Sequence, residues 1–168
     1  GKTPLIVGSV DDVPGLIHIC STRNWVGKMF EKHEIDSALE YVQLLDQTDV
    51  EGIYVRACTL KHAPPVGERG GDHLSLYLPG LWADLDIAGP GHKTTQPLPA
   101  TEDEAMQIVE AAGLPAPSHW IHSGGGLYAW WLLKEATEID DLEFFRELSS
   151  GWQKCLEYGA KKLGLHYG

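Results

Sequence analysis

Cysteine is scarce in this chain, and so is positive charge. The three cysteines, Cys20, Cys58 and Cys155, lie far apart and none forms a Cys-x-x-Cys pair, so the usual zinc-ligand spacing is missing. They read as buried or neutral thiols of a reducing cytosol. Lys and Arg number 13 against 24 Asp and Glu, a formal net charge of -11. That balance argues against a simple nucleic-acid clamp, which carries a basic face for phosphate contacts. It still allows an enzyme that handles nucleotides through metal ions, which screen phosphates locally, and it predicts weak nonspecific DNA binding. No apolar run approaches the roughly 20 residues a membrane span needs. No basic stretch followed by an apolar one marks a secretory signal, and the expected location is the cytoplasm. Internal repeats and low-complexity tracts are absent as well.

What remains is an ordinary globular composition. The 168 residues are 43% apolar and 22% charged, enough for one domain with a buried core. Strand-like and helix-like segments alternate. Leu16–Cys20 is a strand candidate, and Asp36 can cap a helix whose Leu39, Val42 and Leu45 share a face. Ile53–Cys58 reads as the next strand. His62–Gly71 is rich in Pro and Gly and reads as a loop, as does Gly89–Pro99. Leu81–Ala88 lies between them as a strand. Thr101 and Glu104 have capping-box spacing ahead of the stripe Ala105, Ile108, Val109 and Ala112, which Gly113 and Pro115 stop. Ser118–His122 and Leu127–Leu133 read as strands joined by a glycine turn. A long helix from about Ile139 to Leu163 would bury Leu142, Phe145, Leu148, Trp152, Cys155, Leu156 and Gly159, with Gly151 its weak point. The class is mixed α/β of the α+β kind, and the hairpin argues against a doubly wound parallel sheet.

Three groups of residues can carry chemistry. In Leu81-Trp82-Ala83-Asp84-Leu85-Asp86-Ile87, alternation puts the apolar residues on one face and Asp84 with Asp86 on the other. Two carboxylates so placed repel each other, and a divalent cation between them relieves the repulsion. Mg²⁺ favours one or two carboxylates completed by phosphate oxygens and water, the seat of phosphoryl transfer. The bland alternative is a solvated strand face that carries two acids. The second group is His122-Ser123-Gly124-Gly125-Gly126, whose glycine N–H groups can approach an anion. There the alternative is a plain hairpin turn, and neither the Walker pattern nor the dinucleotide fingerprint is present. The third is Arg56, Lys61 and Arg69, suited to phosphate or template contact or else surface charge.

The order of these features resembles the bifunctional primase-polymerase domain of phage and plasmid replication proteins, in the archaeo-eukaryotic primase superfamily. Arg69-Gly70-Gly71 precedes the acidic strand, a helix follows, then His122-Ser123-Gly124-Gly125-Gly126-Leu127-Tyr128, then a second long helix. The similarity runs from about Leu16 onward and is strongest between Leu81 and Leu133. It implies a largely antiparallel RRM-like sheet flanked by helices, as a metal and nucleotide core over about 76–168. An N-terminal α/β unit over about 1–75 would belong to the same single catalytic domain. By resemblance, Asp84 and Asp86 bind Mg²⁺ or Mn²⁺. The family's Ser-Gly-x-Gly-x-His motif falls on Ser123, Gly124 and Gly126, with Tyr128 where the family has His. His122 or the Tyr128 hydroxyl would then contact the triphosphate, with Gly125 and Arg69 among the nucleotide-binding residues. A third motif acid, expected after the long helix, is not found in His166-Tyr167-Gly168.

The activity implied is template-directed primer synthesis and DNA polymerisation. Its partners would be single-stranded DNA, nucleoside triphosphates and a C-terminal helicase domain, in a bacterial or phage-infected cell, with no membrane. A metal-dependent nuclease or phosphohydrolase, and a noncatalytic nucleic-acid-binding or helicase-docking module, are the alternatives.

Overall fold

The computed structural model describes residues 13–89 and 95–167, so the middle of the Gly89–Pro99 loop lies outside the described residues. The described chain is mixed α/β, with two small antiparallel sheets and three helices. It divides into two compact units. One is formed by Leu5–Pro79 with Leu133–Leu142, the other chiefly by Gly80–Leu132 with Glu143–Gly168. The return of residues 133–142 to the first unit differs from a simple cut near residue 75. It follows from the length of one strand, which runs on past the hairpin.

In the first unit β1 (Ile17–Ser21) is central, between β2 (Asn24–Phe30) and β3 (Ile53–Val55), both antiparallel to it. Ile17, Ile19 and Phe30 turn to one face and pack with Ala38, Tyr41, Val42 and Leu45 of α1 (Ile35–Asp46). The inward face of α1 is centred on Ala38, not on Leu39. Asp36 is not the cap. Glu31 and Glu34 form a capping pair one turn earlier, with the Glu31 N–H donating to Glu34 Oε2 at 2.8 Å, and the chain is already helical when it reaches Asp36. Strand β3 stops at Val55, short of the expected Cys58, and the next residue, Arg56, turns its guanidinium to the carbonyls of Gly70 and Gly71 and the hydroxyl of Ser75. Arg56 therefore staples the 62–71 loop.

The second unit holds most of β4 and β6, with α2, β5 and nearly all of α3. Strand β4 (Tyr77–Asp86) starts earlier than expected and β6 (Gly126–Glu138) ends later. With β5 (His119–His122) they form a sheet in the order β4-β6-β5. The β5–β6 hairpin is antiparallel, with His122 opposite Leu127 and Trp120 opposite Ala129. Helix α2 (Glu102–Ala112) starts where the sequence places it. Thr101 Oγ1 accepts the Glu104 N–H at 3.2 Å, while Glu104 reaches back to the N–H of Ala100, one residue before the cap. It ends at Gly113, whose φ of 72° is a left-handed cap.

Ala83, Leu85, Leu127, Ala129 and Trp131 of the sheet bury against Ala105, Ile108 and Val109 of α2 and Leu156 and Ala160 of α3 (Leu142–Lys162). Leu85, Ile108 and Leu156 are wholly enclosed, each contributing about 1.5–3 kcal/mol of burial. Gly159 lets the helices close, since a β-carbon there would meet the backbone of Ile108 and Ala112. Cys155, expected in the buried stripe, is exposed. The true inward row is Trp152, Leu156, Gly159 and Ala160, spaced by three and four residues, and Cys155 falls beside it. No described helix is long and apolar enough to cross a membrane.

Candidate functional site

Strand β4 alternates as its sequence demands. Leu81, Ala83 and Leu85 are buried under the helices, while Trp82, Asp84 and Asp86 occupy the opposite side. Two close approaches align β4 with β6. Gly126 lies against Leu85 and Asp86, and Gly80 lies against Trp131 and Leu132, so the two strands run in opposite directions. This alignment puts Gly126 across from Asp86, Tyr128 across from Asp84 and Trp130 across from Trp82. The rings agree. Trp82 stacks beside Trp130 with centroids 6.2 Å apart and meets Tyr128 edge-on at 5.8 Å.

Asp84 and Asp86 line one cavity of about 310 Å³. Its other walls include Trp82 and Tyr167, and from α3 Ser149 and Gln153, four residues apart on one helical face. Tyr167 arrives because the segment after α3 passes the end of β4, where the Asp86 N–H donates to the Tyr167 carbonyl at 2.9 Å. Burial, and then the negative charge of Glu157, raise the Tyr167 phenol above its ordinary range, so it keeps its proton. One oxygen of Asp84, Oδ1, is shut off from solvent. Among the described residues, no Lys or Arg belongs to the lining.

The glycine turn lies at the acidic end of β4. Ile87 N–H donates to the Gly125 carbonyl at 3.0 Å, and Ser123 N–H donates to Gly126 at 3.0 Å across the turn, where Gly124 has a φ of 97°. Asp84, Asp86, Gly125, Gly126 and Tyr128 are thus gathered at one end of the sheet.

His122 is not with them. It pairs across the hairpin with Leu127, whose side chain enters the helix-covered core, so the two share the face opposite the acids. Its exposed ring lies 3.2 Å from Glu102 in the first turn of α2. It does not line the acidic cavity, because strand alternation turns it to the other face. Arg69 belongs to the other unit, where its guanidinium lies 5.1 Å from the centre of the Trp25 ring. Arg56 is spent on the loop, and Lys61 is exposed. His166 does not line the cavity, and its N–H donates to Pro97.

Among the described residues no three His, Cys, Asp or Glu side chains gather as a metal-binding group. The donors that the described residues bring to the cavity are two carboxylates. They fit a hard divalent cation that takes its remaining oxygens from water and a phosphorylated ligand. They do not fit zinc, which wants nitrogen or sulfur donors. Trp82, Ser149, Gln153 and Tyr167 were not picked out by their sequence positions. Trp82 alone carried a signal, since it shares the alternation of the acids.

Comparison of the chain with family profiles, with curated proteins and with solved structures finds no match.

Proposed function

We propose that this chain is the core of a metal-dependent nucleotidyltransferase, a primase-polymerase domain that extends DNA or makes primers on a single-stranded template. The observation that carries the reading is the placement of Asp84 and Asp86 on one face of β4, lining a single cavity beside the Gly124–Gly126 turn. The order β4-α2-β5-β6-α3, with β6 between β4 and β5 and both helices on one face, supports the RRM-like primase core. It matches the first five elements of a split β-α-β arrangement.

Asp84 and Asp86 would hold Mg²⁺ or Mn²⁺. When bound, the metal supplies a lowered nucleophile pKa and neutralises charge on the leaving pyrophosphate. The chain's own residues do the rest. The two carboxylates fix where the cation sits, and their alternation on one strand keeps them 6–7 Å apart along the backbone, about two strand residues. The Gly124–Gly126 turn would bring its backbone beside phosphate oxygens at the strand end, with the Ser123 N–H already committed to closing the turn. Tyr128, across from Asp84, stands where the family has His. Tyr167 lines the same cavity and would offer a phenolic O–H as a donor there.

A noncatalytic nucleic-acid-binding module is the second reading, favoured by one observation: His122 lies on the far face, and among the described residues no histidine lines the cavity. Incubation with Mn²⁺, nucleoside triphosphates and labelled primer on a single-stranded template separates the readings. Elongated products that vanish in the Asp84→Ala, Asp86→Ala double variant, with circular dichroism unchanged, support the polymerase. Shortened DNA points to a nuclease. Binding without turnover points to the module, and extension that survives the double substitution removes the proposal.

A further inference from the structure

The acidic cavity has an aromatic wall that phosphoryl chemistry does not require. Trp82 precedes Asp84 by two residues on the same face of β4, and both side chains line the cavity. Its indole is braced rather than loose, stacked beside Trp130 at an interplanar angle of 25° and touched edge-on by Tyr128. Even so, Trp82 keeps 44% of its surface open. A large aromatic side chain held rigidly on the exposed side of a strand costs solvation and offers a flat π-face. Ser149 and Gln153 of α3 line the same cavity, and their side chains carry a hydroxyl and an amide, groups that hydrogen-bond a sugar or the edge of a base.

We propose that Trp82 is the stacking platform for the base of a nucleotide whose phosphates are held through a cation at Asp84 and Asp86. Same-face neighbours on a strand are spaced about 6–7 Å apart. A nucleotide bridges such a gap with its sugar, which separates base from phosphate. The site therefore selects a phosphate ester carrying a planar ring over a bare polyphosphate. Stacking tolerates every base, so Trp82 sets affinity for nucleotides as a class and leaves base choice to other contacts. This inference rests on the acidic cavity being a cation and phosphate site, and goes further by naming the group that occupies the other end.

Calorimetric titration with Mn²⁺ present, using a nucleoside triphosphate and inorganic tripolyphosphate as probes, tests it without requiring turnover. Wild-type protein should bind the nucleoside triphosphate at least about tenfold more tightly than tripolyphosphate. Trp82→Leu should lose about tenfold for the nucleotide and leave tripolyphosphate unchanged, and Trp82→Phe should recover most of the loss. Thermal melts of both variants separate lost stacking from lost folding, and the Phe variant preserves the ring packing if the Leu variant melts early. Equal nucleotide affinity in Trp82→Leu and wild type overturns the platform while leaving the acidic site intact. Failure of wild type to bind either probe overturns the cation and phosphate site itself, and the platform with it.

Discussion

Gly126 packs its α-carbon directly against the carbonyl of Leu85, leaving no space for even the smallest side chain. The contact ties the glycine turn to the strand that carries Asp84 and Asp86. Gly126→Ala must push β6 away from β4 at the acidic end of the sheet. Overpacking of this kind costs roughly 1–3 kcal/mol. In a chain of this size that corresponds to a fall of about 2–10 °C in melting temperature. Calorimetry should show the loss, and metal-dependent nucleotide binding should weaken with it because the turn and the acids separate.

Two glycines of α3 should respond in opposite directions. Gly151 is exposed in mid-helix with nothing within 4 Å of an added β-carbon, so Gly151→Ala gains helix propensity without a clash. It should stabilise by about 0.5–1 kcal/mol. Gly159 faces α2, where an added β-carbon would stand 2.6 Å from the Ala112 nitrogen. Gly159→Ala should destabilise by about 1–3 kcal/mol. Urea melts of the two variants check this pair, and a stabilised Gly159→Ala would mean that the helices do not pack as described.

The contrast between these glycines shows what sequence could and could not disclose. Local signals were legible: the Thr101 cap, the Gly113 stop, the alternation from Leu81 to Ile87 and the turn between β5 and β6 are each set by neighbours a few residues apart. Residues brought in from far along the chain were not. Ser149, Gln153 and Tyr167 line the acidic cavity because α3 and the segment after it fold back onto β4, and no local pattern marks them. The face taken by His122 was hidden for a different reason. Its closeness to the glycine turn says nothing about which face it takes, and only the pairing with Leu127 decides that. Arg56 looked like a ligand contact because its chemistry suits one, whereas its donors are used by Gly70, Gly71 and Ser75.

His18 gives the first unit a dependence on pH. Its Nε2–H donates to the Val26 carbonyl at 2.8 Å within a 2% exposed residue. Burial lowers its pKa below the ordinary 6.5; the Val26 hydrogen bond opposes the shift, and the charges of Arg56 and Arg69 add to it. The unfolded chain then binds a proton at a pH where the folded chain does not. Stability from this residue is present above about pH 6.5 and is lost as pH falls from there through the lowered folded value. Melting temperatures measured between about pH 7.5 and 5 should fall for the wild type. They should fall less for His18→Gln, which has no group to titrate there. Parallel curves for the two proteins would rule out His18 as the cause.

The carboxylate pair should stabilise the protein through a bound cation and nucleotide. Asp84 and Asp86 share one strand face and line one cavity. Melting temperatures of the wild type and Asp86→Asn in chelator set the baseline for each protein. Mn²⁺ with a nucleoside triphosphate is then added. A ligand at about a hundredfold excess over its Kd stabilises the folded state by on the order of 2.7 kcal/mol. That stabilisation should appear as a rise of several degrees in the wild type and shrink in Asp86→Asn. Asp84→Asn combined with Asp86→Asn should show no rise. If the double variant gains as much from the cation and nucleotide as the wild type, the ligand binds elsewhere on the protein and the acids of β4 do not hold it.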